Sequence, residues 1–318
     1  MVRWVRVAFA GCHEISLQCL REIAQLCKQS GDELAGAFNL LPEKGAKYSA
    51  FVEFDSLAKE YGFPLHKVVD LAAPETIALL NSLKLDAFFI IGWHKIVPQS
   101  VIDCAPICLG MHSSLLPKNR GSSPINWQII HGEKQGGMSY FHLTTGVDSG
   151  DLVAQKGFEI SLHDTCADAY DKATVLALEM LQENWPALRE KRLPHIPQDE
   201  TQVTLNPRRK PEDGLIDWKK GSIELHNWMR ALTHPYPGGF TFLRGKKLFI
   251  WKATLADGAP TGASANQPGE LVTAGAKIIV ATGDGTLELL SLQFEGEREM
   301  AAADFSEKYA LHPGEKMG

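Results

Sequence analysis

An α/β fold built on a mostly parallel sheet, with a smaller β-rich domain after it, is what this 318-residue sequence predicts. Three observations carry that prediction. From Trp4 to Leu188, short apolar runs alternate with segments of helical periodicity, the pattern that βαβ units write into a chain. One of those runs, Asp86–Ile91, is apolar almost throughout, as a parallel strand buried on both faces requires. From Pro194 the texture changes to a Pro-punctuated polar segment and then several short strands, which suit a small or open barrel.

Taken in order, Trp4–Ala10 reads as the first strand and Ile15–Cys27 as the first helix, with Gly11 between them. No GxGxxG follows that strand, because Gly11 leads into Cys12-His13-Glu14, so nicotinamide and flavin cofactors are set aside. His13 and Glu14 stand at the helix start, as capping or surface residues or as contacts to a substrate. Leu34–Leu40 is a strand, and the loop Leu41–Tyr48 after it carries Lys44 and Lys47. These are solvated loop lysines or contacts to the phosphates of an acceptor. Phe51–Tyr61 reads as a helix, Pro64–Val69 as a strand, and Pro74–Leu83 as a helix opened by its proline. Gly92–Pro98 leaves the apolar strand, and Ile107–Met111 is a further buried strand. Ser122–His131 is a helix, Gly137–Leu143 and Leu152–Ile160 are strands, and Asp164–Leu188 is a long amphipathic helix. Expected domain limits are 1–190 for the first domain, 191–206 for a linker and 207–318 for the second. Within the second, Ser222–Leu232 is a helix, His234–Gly239 a rigid turn, and short strands run from Phe240 to Phe294.

Composition narrows the class. A net charge of −6 and a pI near 6.0 argue against a polyanion as the main partner. The six cysteines form no CxxC pair and read as buried thiols rather than disulfides or metal ligands. The N-terminal apolar run is too short for a signal peptide, and no run reaches the roughly 18 residues of a membrane span. A cytoplasmic enzyme with no membrane partner and no metal is the default reading.

The chemistry concentrates between Leu109 and Ile160. The strand at 107–111 ends in His112, followed by Ser113-Ser114-Leu115-Leu116-Pro117. That places an imidazole at the carboxyl edge of the sheet, where open α/β sheets hold their ligands. Further on, Gly146-Val147-Asp148-Ser149-Gly150-Asp151 presents a carboxylate on a sharp turn. A carboxylate beside an imidazole fixes its tautomer and favours its protonated form.

The set His112, Ser114–Pro117, Arg120-Gly121, Asn126-Trp127 and Gly146-x-Asp148-x-Gly150-Asp151 resembles the formyltransferases that use 10-formyltetrahydrofolate. The resemblance covers nearly the whole chain. It implies the formyltransferase fold, with a Rossmann-like sheet, and His112 and Asp148 as the catalytic pair. It implies a folate site made of Trp93, His94, Lys95, Ile96 and Val97, with the pterin held by backbone hydrogen bonds, together with Thr144, Thr145, Gly146 and Val147. The stretches DGLIDW, IELHNWMRAL, PYPGGF and GDGTLELL resemble the C-terminal domain of the branch that formylates nucleotide-linked amino sugars.

One departure stands out. The family's pattern has Asn two residues before the histidine, whose amide meets the developing oxyanion; here that position is Gly110. His94, a nearby amide or a water are the alternatives for the missing donor. Three activities follow from the resemblance. The expected one is formyl transfer from 10-formyltetrahydrofolate to a nucleotide-linked amino sugar. The rivals are methionyl-tRNA formyltransferase, and formyltetrahydrofolate hydrolase if Gly110 leaves space for water beside His112. A homodimer is left open.

Overall fold

Strand and helix alternate along the chain as β1 (Arg6–Ala10), α1 (Glu14–Ser30), β2 (Glu33–Leu40), α2 (Pro42–Gly45), α3 (Asp55–Tyr61), β3 (Leu65–Val68), α4 (Pro74–Ser82), β4 (Ala87–Ile90), α5 (Gln99–Ile102) and β5 (Ile107–His112). There follow β6 (Arg120–Gly121), α6 (Pro124–Ile130), β7 (Gln135–His142), β8 (Leu152–Glu159), α7 (Cys166–Arg189) and β9 (Leu205–Asn206). This computed structural model describes residues 4–46, 48, 50–256 and 266–318. The chain divides into two units: Met1–Pro124 with Gly136–Phe158 and Tyr170–Pro207, and Ile125–Gln135 with Glu159–Ala169 and Arg208–Gly318.

The main sheet has seven strands in the order β3-β2-β1-β4-β5-β7-β8. The first five are parallel, and β7 runs antiparallel to β5. Phe9, Phe38, Phe88 and Phe89 are fully buried, which is why these strands carry apolar residues on both faces. Order reverses between β1 and β4, the switch point where such sheets open a crevice. The loops leaving these two strands touch: the Cys12 amide donates to the Gly92 carbonyl at 3.2 Å. A Cβ at Gly11 would lie 2.5 Å from the Ile91 oxygen, so only glycine permits that approach.

In the second unit, α8 (Ser222–Leu232) precedes β10 (Gly239–Leu243), β11 (Lys246–Leu255), β12 (Leu271–Thr273), β13 (Ile278–Ala281), β14 (Thr286–Phe294), β15 (Met300–Ala301) and α9 (Ala302–Tyr309). The strands form one antiparallel sheet, β10-β11-β14-β13-β12, with β15 on β14. Leu248, Ile250, Leu287, Leu289 and Leu292 alternate inward and close a core with Met229 and Phe305.

Most elements fall where the pattern places them. The helix expected over Phe51–Tyr61 starts only at Asp55. Phe51 bridges His13, and the Val52 amide donates to the Cys12 carbonyl at 3.1 Å, which holds that segment extended. The loop after β2 contains the single turn α2, and α9 has no counterpart in the sequence reading. All six cysteines are buried free thiols, as expected. Burial pushes the thiols of Cys12, Cys19, Cys27, Cys108 and Cys166 up to about 12. Among the described residues, no helix is long and apolar enough to cross a membrane.

Candidate active site

β5 carries His112 to the carboxyl edge of the sheet and leaves it 8% exposed. Its Nε2 lies 2.7 Å from the Asn119 carbonyl oxygen. A carbonyl can only accept, so Nε2 holds a proton and donates it there. Nδ1 is then the nitrogen left for chemistry, and it faces Asp148 Oδ2 at 3.5 Å. That is ion-pair range, longer than a good hydrogen bond.

Asp148 is delivered by a strained turn. Its own φ is +47°, in the left-handed region that side chains seldom adopt. The glycines around it serve close packing rather than positive φ. A Cβ at Gly150 would lie 1.7 Å from the His142 oxygen, and one at Gly146 would lie 2.2 Å from Ser149 Oγ. The carboxylate is anchored by the Gly121 amide, which donates to Oδ2 at 2.8 Å.

The Ser-Ser-Leu-Leu-Pro loop is fixed from beneath by residues that no motif signalled. Buried Ser139 donates to the Ser114 carbonyl at 2.6 Å and accepts from the Leu116 amide at 3.1 Å. Gln155 Nε2 donates to the Leu116 carbonyl at 2.9 Å and to Ser139 Oγ at 2.8 Å. Ser139 sits on β7, which pairs with β5, and Gln155 on β8, the next strand of the sheet, where alternation marked them only as polar positions. Asn119, Gln198 and Thr204 also escaped the sequence reading.

Gly110 lies between Ile90 of β4 and Phe141 of β7, so its backbone belongs to the interior of the sheet. The space above it is not open. A Cβ there would meet Leu143 Cδ2 at 2.8 Å and Cγ at 3.2 Å. Leu143 also packs on the cluster containing Leu116, Phe141 and Leu152. Leu143 thus stands where a side chain at position 110 would begin, beside the strand that carries His112.

The segment expected to hold folate follows β4. Gly92 adopts a φ of +66°, and Trp93 packs on the same apolar cluster as Val97 and Leu143. The His94 ring lies 4.9 Å from Trp93 and 4.8 Å from Tyr48. Lys95 pairs with Asp70, Ile96 is 65% exposed and Val97 is buried. Thr144–Val147 form an exposed loop ahead of Asp148, with Thr144 Oγ1 2.9 Å from Ser149 Oγ. Lys44 is exposed on α2, the turn that follows β2 at the same sheet edge. Lys47 lies outside the described residues. No group of three or more His, Cys, Asp or Glu is placed to hold a metal among the described residues.

Comparison with known proteins follows the same lines. The formyl transferase family model matches residues 43–184, and the formyl transferase C-terminal domain model matches 208–310. A methionyl-tRNA formyltransferase of Solibacter usitatus is 37% identical over 246 residues, 77% of each chain. One from Geobacter metallireducens is 33% identical over 264 residues, 82% of this chain and 83% of that one. Among solved structures, HypX from Aquifex aeolicus in complex with tetrahydrofolic acid is 17% identical with a TM-score of 0.64, covering 98% of this chain and 48% of that one. The N-formyltransferase from Helicobacter canadensis, in complex with folinic acid and dTDP-3-aminofucose, is 18% identical with a TM-score of 0.67, covering 90% and 98%. At these identities the structural likeness establishes the fold.

Proposed function

The chain belongs to the formyl transferase family and transfers a formyl group; on that premise we propose that it moves the group from 10-formyltetrahydrofolate to the amine of a nucleotide-linked amino sugar. In this reading the amine nitrogen attacks the formyl carbon, a tetrahedral oxyanion forms, and the bond from that carbon to folate N10 breaks. The amine loses one proton and N10 gains one. His112 Nδ1 and Asp148, 3.5 Å apart, accept the first and return the second, so the pair ends as it began. The Asn119 carbonyl keeps Nε2 protonated and aims Nδ1 toward the carboxylate. Trp93–Val97 and Thr144–Val147 form the folate wall, and Lys44 meets acceptor phosphates. With Gly110 bare, the oxyanion donor comes from outside position 110.

The observation that carries transfer over hydrolysis is Leu143. Its side chain lies where a side chain at Gly110 would begin, and in this reading that apolar group takes up room that a water nucleophile would need. Net charge supports a small acceptor over a polyanion. A second reading, methionyl-tRNA as acceptor, is favoured by the names of the curated relatives.

The test uses purified protein with 10-formyltetrahydrofolate and, separately, UDP-, dTDP- and GDP-linked amino sugars and methionyl-tRNA. Tetrahydrofolate release should depend on an amino sugar, which gains the mass of one formyl group. Release only with methionyl-tRNA replaces the first reading with the second. Rapid formate release with no amine present makes the protein a hydrolase.

A further inference from the structure

Residues 198–206 cross β6 and the Asp148 turn as a strap, and they touch the supports of both His112 and Asp148. On one side, Gln198 Nε2 donates to the carbonyls of Asp148 at 2.8 Å and Gly150 at 2.7 Å. One amide group thereby spans the turn whose central residue holds a φ of +47°. The other end of that amide is fixed as well. Arg120, 5% exposed, donates to Gln198 Oε1 from Nε at 3.2 Å and from its terminal nitrogen at 2.8 Å. Glu200 then accepts from both terminal nitrogens of Arg120, at 2.6 and 3.2 Å. A bidentate pair of this kind sets direction as well as distance.

On the other side, the strap holds Asn119, whose carbonyl accepts the hydrogen bond from His112 Nε2. The Asn119 amide donates to Thr204 Oγ1 at 2.7 Å, and its side-chain oxygen accepts from Asn206 Nδ2 at 3.1 Å. The Arg120 amide donates to the Thr204 carbonyl at 3.0 Å, and β6 pairs with β9 in parallel register. The two supports meet again at Gly121. Its amide holds the Asp148 carboxylate, and a Cβ there would lie 2.7 Å from the Asn206 oxygen.

We propose that Gln198 is a positioning residue for the formyl-transfer site: clamped by Arg120 and Glu200, it holds the Asp148 turn at its working distance from His112. The inference rests on the reading of His112 and Asp148 as the reacting pair. A turn with positive φ at a non-glycine residue relaxes unless its surroundings hold it. Two donors from one side chain, placed on carbonyls two residues apart, supply that hold without entering the substrate space. The strap lies in the stretch expected to be a plain linker, so it makes the end of the first unit part of the catalytic machinery.

The experiment compares Gln198→Glu and Gln198→Ala with the parent and with His112→Ala. A glutamate keeps the volume and the bonds from Arg120, but its second oxygen faces two carbonyls that it cannot serve. Both Gln198 variants should lose roughly 10- to 100-fold in kcat, the scale of a support mutation that loosens site geometry. Their KM for 10-formyltetrahydrofolate should stay within about threefold, and Tm should change little, a split that general structural damage does not produce. Either variant at parental kcat overturns the inference, and so does a fall carried by KM. Loss of folding in both also overturns it, because a strap that only positions Asp148 leaves the cores intact. His112→Ala separates the premise: full activity there removes the catalytic pair itself, whereas an inactive His112→Ala beside an active Gln198→Glu rejects only the strap.

Discussion

Gly110→Asn restores the family's residue and sets it against Leu143. Position 110 is ordinary extended backbone in an interior strand, so no conformational penalty attaches to a side chain there. The obstacle is Leu143. An added Cβ stands 2.8 Å from Leu143 Cδ2, against the 3.4 Å at which ordinary contact begins, so the leucine must retreat by 0.6 Å (3.4 − 2.8) before the amide is even placed. Overpacking of this kind costs about 1–3 kcal/mol. For a unit of this size, 1 kcal/mol moves Tm by about 2–4 °C. Gly110→Asn should therefore melt about 2–12 °C below the parent.

Truncating the obstacle changes the sign of the interaction. Leu143→Ala alone should cost roughly 2 kcal/mol, the low end for a leucine, because the side chain is half-buried. In the double variant the clash is gone and the amide occupies the vacated volume. The two changes should then be non-additive by about 1–3 kcal/mol in favour of the pair. Urea unfolding of the four proteins, followed by near-UV circular dichroism, reads that coupling. If Gly110→Asn is as stable as the parent, or the double variant melts at the sum of the singles, the steric account of Gly110 is wrong.

Other outcomes follow from the same geometry. His112→Ala and Asp148→Asn should each lower kcat by about 100-fold or more with little change in Tm, since general acid–base groups contribute on that scale; parental turnover in either would remove the pair. Gly150→Ala should destabilise the first unit by about 1–3 kcal/mol, because its Cβ would sit 1.7 Å from a backbone oxygen that cannot move aside; an unchanged melting curve would contradict this. His226 makes the second unit acid-sensitive. Burial lowers its imidazole to about 4 from 6.5, and Arg230 and His163 add to the shift. The unfolded chain binds a proton below about 6.5 that the folded unit refuses until about 4, so stability is lost as pH falls through that window. The full difference is about 3 kcal/mol and about 2 of it is gone by pH 5. His226→Leu should flatten that part of the pH dependence, measured by urea unfolding between pH 7 and 4.5, and an unaltered slope would exclude His226 as its source.

The readable part of this chain was the part written in short range. Apolar runs such as Asp86–Ile91 mark strands because burial on both faces leaves no polar positions, and the parallel sheet followed from them. His112 was legible because a strand ending in an imidazole is a local pattern, and Asp148 because its turn is announced by Gly146 and Gly150. The helix start at Asp55 was not legible, because what holds Phe51 and Val52 out of the helix is a bridge to His13 and a bond to Cys12, some forty residues away.

The supports of the candidate site share that property. Gln198 reads as one polar residue in a Pro-punctuated segment, and only the fold brings its amide onto carbonyls 48 and 50 residues earlier. Leu143 reads as the last apolar residue of a strand, and only the register of β7 against β5 puts it over Gly110. The absent asparagine alone therefore pointed to an open space, and so to water. With Leu143 in view, positions 110 and 143 form one packing unit: a small residue on one strand accommodates a large one beside the next. That unit argues that the departure from the family pattern changes how the site is walled, and it leaves His112 and Asp148 facing each other at 3.5 Å. A chain that had merely lost an oxyanion donor would forfeit about 100- to 1000-fold in rate. Here Leu143 stands where a side chain at position 110 would begin, so the lost amide and the neighbouring leucine belong to one change in packing.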